Sequence, residues 1–156
     1  YLINKRQVLM ADPAEALLSL KQISISFAPG VTQEQAEARV KEFGAFIEEL
    51  PPGSSSGRRH WHEAEDEMIL MLSGQVVLVE DHETTLTAGD AAAWPAGHPG
   101  GHRLDNRSDA PARYLVIGTR SERDRIHYTD HDLVTETDGP KRRYLHRDGT
   151  PYGETP

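Results

Sequence analysis

The chain has 156 residues, of which 37% are hydrophobic and 27% are charged, a balance typical of a single globular domain. The 17 Lys and Arg residues are outnumbered by 25 Asp and Glu residues, and the formal net charge of -8 disfavours nucleic acid or an anionic membrane as a partner. The absence of cysteine excludes disulfides, zinc–thiolate sites and cysteine nucleophiles, and because it suits a reducing compartment we expect a cytoplasmic protein. No apolar run is long enough to span a membrane.

Residues 1–44 are predicted to form an N-terminal extension with short elements of its own. Asp12 is placed to cap a short helix over residues 14–20, and a strand over residues 22–27 ends at a Pro-Gly turn. A capping-box spacing of Thr and Gln then predicts a second short helix over residues 33–41.

Residues 45–120 have a different pattern, in which short apolar runs alternate with turn signals at the even spacing typical of a β-barrel or jelly roll. The predicted strands are 45–50, 58–63, 68–72, 75–80, 83–87, 91–94, 102–106 and 112–119. Continuous apolar runs such as Met68–Met71 indicate strands covered on both faces, by a second sheet or a second subunit. We predict an all-β barrel here, followed by a polar C-terminal tail over residues 121–156 that packs on the barrel or on a partner subunit.

Two histidines stand at alternate positions of a predicted strand, so His60 and His62 point to the same face and their imidazoles converge. Glu67 begins the next strand, and a tight return would bring its carboxylate beside them. His102 follows a glycine-rich loop and can close the site from another strand. Three imidazoles and one carboxylate suit one divalent Fe, Mn, Ni, Co or Zn ion with room for water or substrate. A His-x-His pair alone would more often be two surface histidines.

The stretch 53–106 resembles the cupin superfamily, because it carries both motifs of that family. The first motif is matched by His60-Trp61-His62, four residues, Glu67, six residues and Gly74. The second is matched by Gly89, five residues, Pro95-Ala96-Gly97, and then His102 three residues before Asn106. The resemblance implies a cupin double-stranded β-helix, or jelly-roll barrel, that holds a divalent metal on His60, His62, Glu67 and His102.

The chain departs from the second motif in one loop, since four residues rather than two separate Gly97 from His102. His98 lies in this loop and is the alternative fourth ligand. We favour His102 because its distance to Asn106 is kept and because it begins a strand, which leaves His98 at the lip of the pocket. Within the superfamily the chain looks like the small single-domain cupins described as similar to mannose-6-phosphate isomerase.

Two further residues are candidates for the substrate pocket. Arg58 shares strand parity with His60 and is predicted to point into the barrel, where a guanidinium would suit a carboxylate or phosphate. The alternative for Arg58 is a solvated side chain at the start of the strand. Trp94 stands beside the glycine-rich loop, at the mouth of the pocket or simply in the core.

These features predict a metal-dependent enzyme acting on a small sugar, carboxylate or phenolic substrate by isomerase, lyase or dioxygenase chemistry. The alternatives are a cupin that binds a small molecule without catalysis and a cupin whose metal is only structural. The sequence assigns no catalytic residue beyond the ligands. Because the strand edges of a small barrel need cover, and because similar cupins are dimeric, we also expect a homodimer.

Overall fold

The computed structural model describes residues 43–152, in which all of the helices and strands assigned are β-strands. The two helices and the strand predicted before residue 42 lie outside these residues. No helix between residues 43 and 152 has the length and the apolar character needed to cross a membrane. The eleven strands in chain order are β1 (Phe43–Leu50), β2 (His60–His62), β3 (Glu67–Ser73), β4 (Gln75–Val79), β5 (Glu83–Thr87), β6 (Ala91–Trp94), β7 (Arg103–Asp105), β8 (Ala112–Thr119), β9 (Arg123–Tyr128), β10 (Leu133–Asp138) and β11 (Lys141–Leu145).

The strands pair antiparallel in three sheets with the orders β1-β8-β3-β6, β11-β10-β9-β2 and β5-β4-β7. An isolated bridge links the second sheet to the third, where the backbones of His60 and His102 exchange hydrogen bonds of 3.2 and 3.0 Å. The all-β prediction is confirmed, and the strands found over residues 83–87, 91–94 and 112–119 coincide with the predicted ones.

The core lies on the inner face of the first sheet, because alternate residues of a strand point to opposite sides. On β3, Ile69 and Met71 are buried, while their neighbours Met68 and Leu72 are 37% and 42% exposed. The buried cluster draws residues from the first and the third sheets: Leu50, Ile69, Met71, Val76, Leu78, Leu86, Trp94, Leu104, Ala112, Tyr114 and Val116.

The outer face of the same sheet is also apolar. Phe43 and Ile47 on β1 are 50% and 37% exposed, and they share this face with Met68, since Ala45 and Met68 both pair with Ile117. The continuous apolar runs in the sequence therefore have one buried face and one exposed face in the described chain. A partner subunit that covers the exposed face remains a prediction.

The part of the chain after residue 120, which we expected to be a polar tail, contains three strands. β9 pairs with β2, and β10 and β11 extend that sheet, so residues 123–145 build one wall of the barrel. Their apolar signal is sparse because the outward positions are charged and form ion pairs such as Arg125–Glu136 at 3.2 Å. Beyond β11, His146 and Tyr152 stack on each other and both bond to Asp132, which holds the end of the described chain against the sheet.

Candidate metal centre

His60 and His62 lie on β2, which is flanked on one side by β9 and on the other by the bridge to His102. The register places His60 opposite Tyr128 and His62 opposite Ile126, so both imidazoles share the inner face. The ring centroid of His60 lies 5.2 Å from that of His62 and 5.0 Å from that of His102. Strand pairing therefore gathers the three predicted imidazoles at one point.

Glu67 begins β3 and brings a carboxylate to this point. Its Oε2 lies 3.7 Å from Nε2 of His62 and 3.5 Å from Nε2 of His102. One ligand atom each from His60, His62 and Glu67 lies within 4.8 Å of the other two, a spacing that could hold a metal ion. His102 is outside that mutual spacing but touches the same carboxylate, so the structure brings all four predicted residues together.

His102 is 4% exposed, and neither of its ring nitrogens makes a hydrogen bond with any residue in the described part of the chain. A buried polar atom left without a partner costs about 1–3 kcal/mol, so such an atom calls for an explanation. A metal ion bound to one of these nitrogens would remove the cost for that atom. The donor set of three imidazoles and a carboxylate also fits a divalent transition metal.

His62 is oriented by a residue that sequence reasoning missed. Oδ2 of Asp124, on β9, lies 2.6 Å from Nδ1 of His62, and Oδ1 of Asp124 accepts the backbone N–H of Ala64 at 2.9 Å. This bond directs Nε2 of His62 towards Glu67, as in the carboxylate–histidine pairs that support metal ions. A second carboxylate, Glu65, lies 3.9 Å from the same Nδ1, but Nδ1 is already bonded to Asp124.

The charge states of the cluster follow from burial and from these neighbours. Burial, with His102 and His62 close by, lowers the pKa of His60 to about 4, so this imidazole is neutral at pH 7. Burial also lowers the pKa of His62, but the bond to Asp124 outweighs it and the net shift is upward. Burial raises the pKa of Glu67, yet the neighbouring His102 reverses the shift, so the group stays a carboxylate.

A cavity of about 200 Å³ opens on the cluster, and His60, Glu67 and His102 form part of its wall. Of the predicted pocket residues, Arg58 and Trp94 line this cavity, and Trp94 is at the same time a buried core residue that stacks on His102. His98 does not line it. Its ring is exposed and its Nδ1 accepts the N–H of Gly100 at 3.2 Å, because the longer loop carries it away from the barrel.

Several lining residues come from β10 and β11 and were not predicted, since that part of the chain was expected to be a tail. Thr135, Arg142 and Tyr144 all face the cavity. The register joins Thr135 to Tyr144 and to Ile126, which pairs with His62. Only the strand pairing reveals these residues, since their sequence distance from the histidines carries no signal.

The fold and the site define a small all-β barrel with an inward-facing group of histidines and a glutamate that could hold a metal. The cupin domain family matches residues 46–118. A sugar phosphate isomerase of the cupin superfamily from Silicibacter pomeroyi is similar over 71% of this chain and 71% of its own, with 40% identity and a TM-score of 0.69. The chain belongs to the cupin superfamily.

A second solved structure shares the fold. A provisionally named sugar phosphate isomerase from Acidithiobacillus ferrooxidans has a TM-score of 0.67 and 21% identity, covering 77% of each chain. No protein of curated function matches this sequence significantly.

Proposed function

We propose that this protein is a metal-dependent enzyme that isomerises a small oxygenated substrate such as a sugar. The observation that carries the proposal is the cluster of His60, His62, Glu67 and His102, three of which (His60, Glu67 and His102) line the cavity. The cavity of about 200 Å³ is smaller than the pockets that hold drug-sized ligands, which favours a small metabolite.

The four residues would hold one divalent ion, Fe, Mn, Ni, Co or Zn. Such an ion supplies Lewis-acid polarisation of substrate oxygens. The chain itself presents the ligands in the required state, since Asp124 and the backbone oxygen of Arg58 bond to Nδ1 of His62 and His60 and leave each Nε2 for the ion. The apolar wall formed by Ile69 and Val116 limits the water beside the substrate.

Isomerisation is preferred over lyase or dioxygenase chemistry because the 40% identical relative is named as a sugar phosphate isomerase. This support is an analogy between relatives, and one fold hosts many reactions. The three reactions give different products, so a single set of assays separates them.

The first experiment measures metal content by mass spectrometry in wild type, His60→Ala and His98→Ala. We expect about one equivalent of a transition metal in wild type and in His98→Ala, and none in His60→Ala. His98 is the matched control because it lies on the same barrel but outside the cavity. Absence of metal from the wild type after reconstitution would contradict the proposal.

The second experiment follows the metal-loaded protein by NMR in heavy water with aldoses, ketoses and their phosphates. An isomerase interconverts an aldose and a ketose and exchanges a carbon-bound proton for deuterium. Lyase chemistry would release smaller fragments from carboxylate substrates, and a dioxygenase would consume oxygen with phenols. Tight binding without any product would instead support the alternative, a non-catalytic small-molecule-binding cupin.

A homodimer remains part of the proposal, supported by the exposed apolar face that carries Phe43, Ile47, Met68 and Leu72. Light scattering should give twice the chain mass, and Ile47→Glu together with Met68→Glu should shift it to the monomer. A monomeric wild type would contradict this part of the proposal. The cytoplasmic location also remains a prediction, which fractionation of the source cells tests.

A further inference from the structure

The cavity wall is rich in groups that donate hydrogen bonds. Arg58 precedes β2 and the exposed Arg142 lies on β11, so arginine residues line the cavity from both edges of the sheet β11-β10-β9-β2. The phenols of Tyr128 and Tyr144 line it as well. A ligand that accepts hydrogen bonds and carries negative charge is the natural complement of such a wall.

These two arginines differ from most arginines of the described residues. Neither Arg58 nor Arg142 makes an ion pair or a side-chain hydrogen bond with any residue between 43 and 152. Arg120 is also unpaired within these residues, but it does not line the cavity. The arginines that pair with carboxylates are Arg59, Arg103, Arg107, Arg113, Arg123, Arg125 and Arg143. In a chain with a net charge of -8, the half-buried Arg58 and the exposed Arg142 are therefore both free to receive an anion at one cavity.

A second and independent observation is the hydroxyl of Thr135, on β10. The residue is 3% exposed, and its Oγ1 has no hydrogen-bond partner among the described residues. The side chain lines the same cavity. Since buried hydroxyls are almost always hydrogen-bonded, this one points to a ligand atom that the cavity receives.

Two acids of the described residues line the cavity and count against an anionic ligand. Glu67 belongs to the candidate metal cluster, where a divalent ion would more than neutralise its charge. Glu48, on β1, is the other acid. Among the described lining residues, two guanidinium groups then stand against one remaining carboxylate.

We propose that the substrate is an anion, and that Arg58 and Arg142 bind its phosphate or carboxylate group inside the cavity. This inference rests on the proposed function in one respect, namely that the substrate enters this cavity. It adds that the substrate is negatively charged. Thr135 donates a further hydrogen bond to the same ligand. The candidate metal cluster and the arginines then contact different parts of one molecule.

The test is calorimetric titration of the chelator-treated full chain, so that binding through a metal does not contribute. The probes are inorganic phosphate, a pentose 5-phosphate, the corresponding pentonate and the free pentose. We expect the better of the two charged sugars to bind at least about tenfold more tightly than the free pentose. Arg58→Gln and Arg142→Gln should each weaken that binding about tenfold, and Thr135→Val by a smaller factor.

The chain provides a matched control beside each arginine. Arg59 follows Arg58 but bonds to Asp81, and Arg143 follows Arg142 but bonds to Glu136 at 2.6 Å. Arg59→Gln and Arg143→Gln remove the same charge from the chain without touching the cavity. Both should leave the affinity for the charged sugar within about twofold of wild type, because long-range charge effects are screened by salt.

The outcomes separate the possibilities. Preference for the phosphate ester identifies a sugar phosphate, and preference for the pentonate identifies a sugar acid; either supports the anion site. Equal affinity for the charged and the free sugar, or equal losses in the control variants, overturns it. Absence of metal or of turnover in the wild type, with retained anion binding, would count against the proposed enzyme alone, so the two failures are distinguishable.

Discussion

The indole ring of Trp94 lies flat against the imidazole of His102, with ring centroids 3.7 Å apart and an angle of 8° between the planes. The indole Nε1–H donates to Oε1 of Glu80 at 2.8 Å, and this hydrogen bond helps to fix the orientation of the indole ring. The ring nitrogens of His102 make no hydrogen bond within the described residues, so the stack, the 3.5 Å contact with Glu67 and the backbone bridge to His60 hold this imidazole. A core aromatic residue thus positions a predicted metal ligand.

Trp94→Ala should weaken metal binding about tenfold, since supporting groups around metal ligands typically contribute 10- to 100-fold to affinity. Trp94→Phe keeps a flat ring against His102 and should lose much less. The dissociation constant is measured by competition with a coloured chelator. Glu80→Gln is the control, because it retains the stack and should change the constant less than about threefold. A folded Trp94→Ala variant with wild-type affinity would contradict this role.

Asp124 supports His62 by the 2.6 Å bond to Nδ1. Burial raises the pKa of Asp124, but this bond and the N–H of Ala64 outweigh burial, so the net shift of the pKa is downward. Asp124→Leu should therefore reduce metal affinity about 10- to 100-fold, because the imidazole loses its orientation. Glu65→Gln, which alters a carboxylate 3.9 Å from the same nitrogen, is the matched control and should have little effect. Equal losses in the two variants would show that general negative charge, rather than the bond, matters.

Metal-free protein should lose stability as the pH falls from 6.5 to 4. The pKa of His60 is about 4 in the folded chain against 6.5 ordinarily, so in this window the unfolded chain binds more protons at His60. His62, whose pKa is raised, acts in the opposite sense, because it stabilises the folded chain below its unfolded pKa.

Comparison with His60→Gln isolates the contribution of His60. The wild type should lose about 3 kcal/mol relative to this variant between pH 7.5 and pH 4, from urea unfolding in the presence of a chelator. His60→Ala should show the same pH dependence as His60→Gln, although its absolute free energy of unfolding will differ. Parallel stability curves for the wild type and both variants would contradict the burial of a neutral His60.

The structure shows why the first motif has a glycine at position 74. It turns the chain between β3 and β4 at a φ of 74°, and a Cβ atom there would lie 2.6 Å from the carbonyl oxygen of Pro111. Gly74→Ala should destabilise the fold by more than about 2 kcal/mol, since strain of the backbone adds to the collision. Gly89→Ala shares the positive φ, at 94°, but has open space, so it should cost only about 1 kcal/mol. Equal midpoints in urea would contradict the collision.

Local patterns in the sequence predicted the strands and the turns of residues 45–119 well. The period of two along β2 places His60 and His62 on one face, and glycine and proline mark the turns around β4, β5 and β6. These are properties of neighbouring residues, so they can be read without knowing which strands pair. Metal binding by His60, His62, Glu67 and His102 remains a prediction, although the structure brings the four residues together.

The sequence by itself determined the all-β class, the inward direction of the two histidines and the motif glycines, because each depends on interactions a few residues apart. The tertiary structure alone decided that Asp124 bonds to His62 and that Arg142 and Thr135 face the cavity. Asp124 is 62 residues from His62 in the chain and reaches it only because β9 pairs with β2. Such long-range pairing depends on the whole barrel. The entropy cost of closing a long loop is offset only when many strands bury their inner faces together.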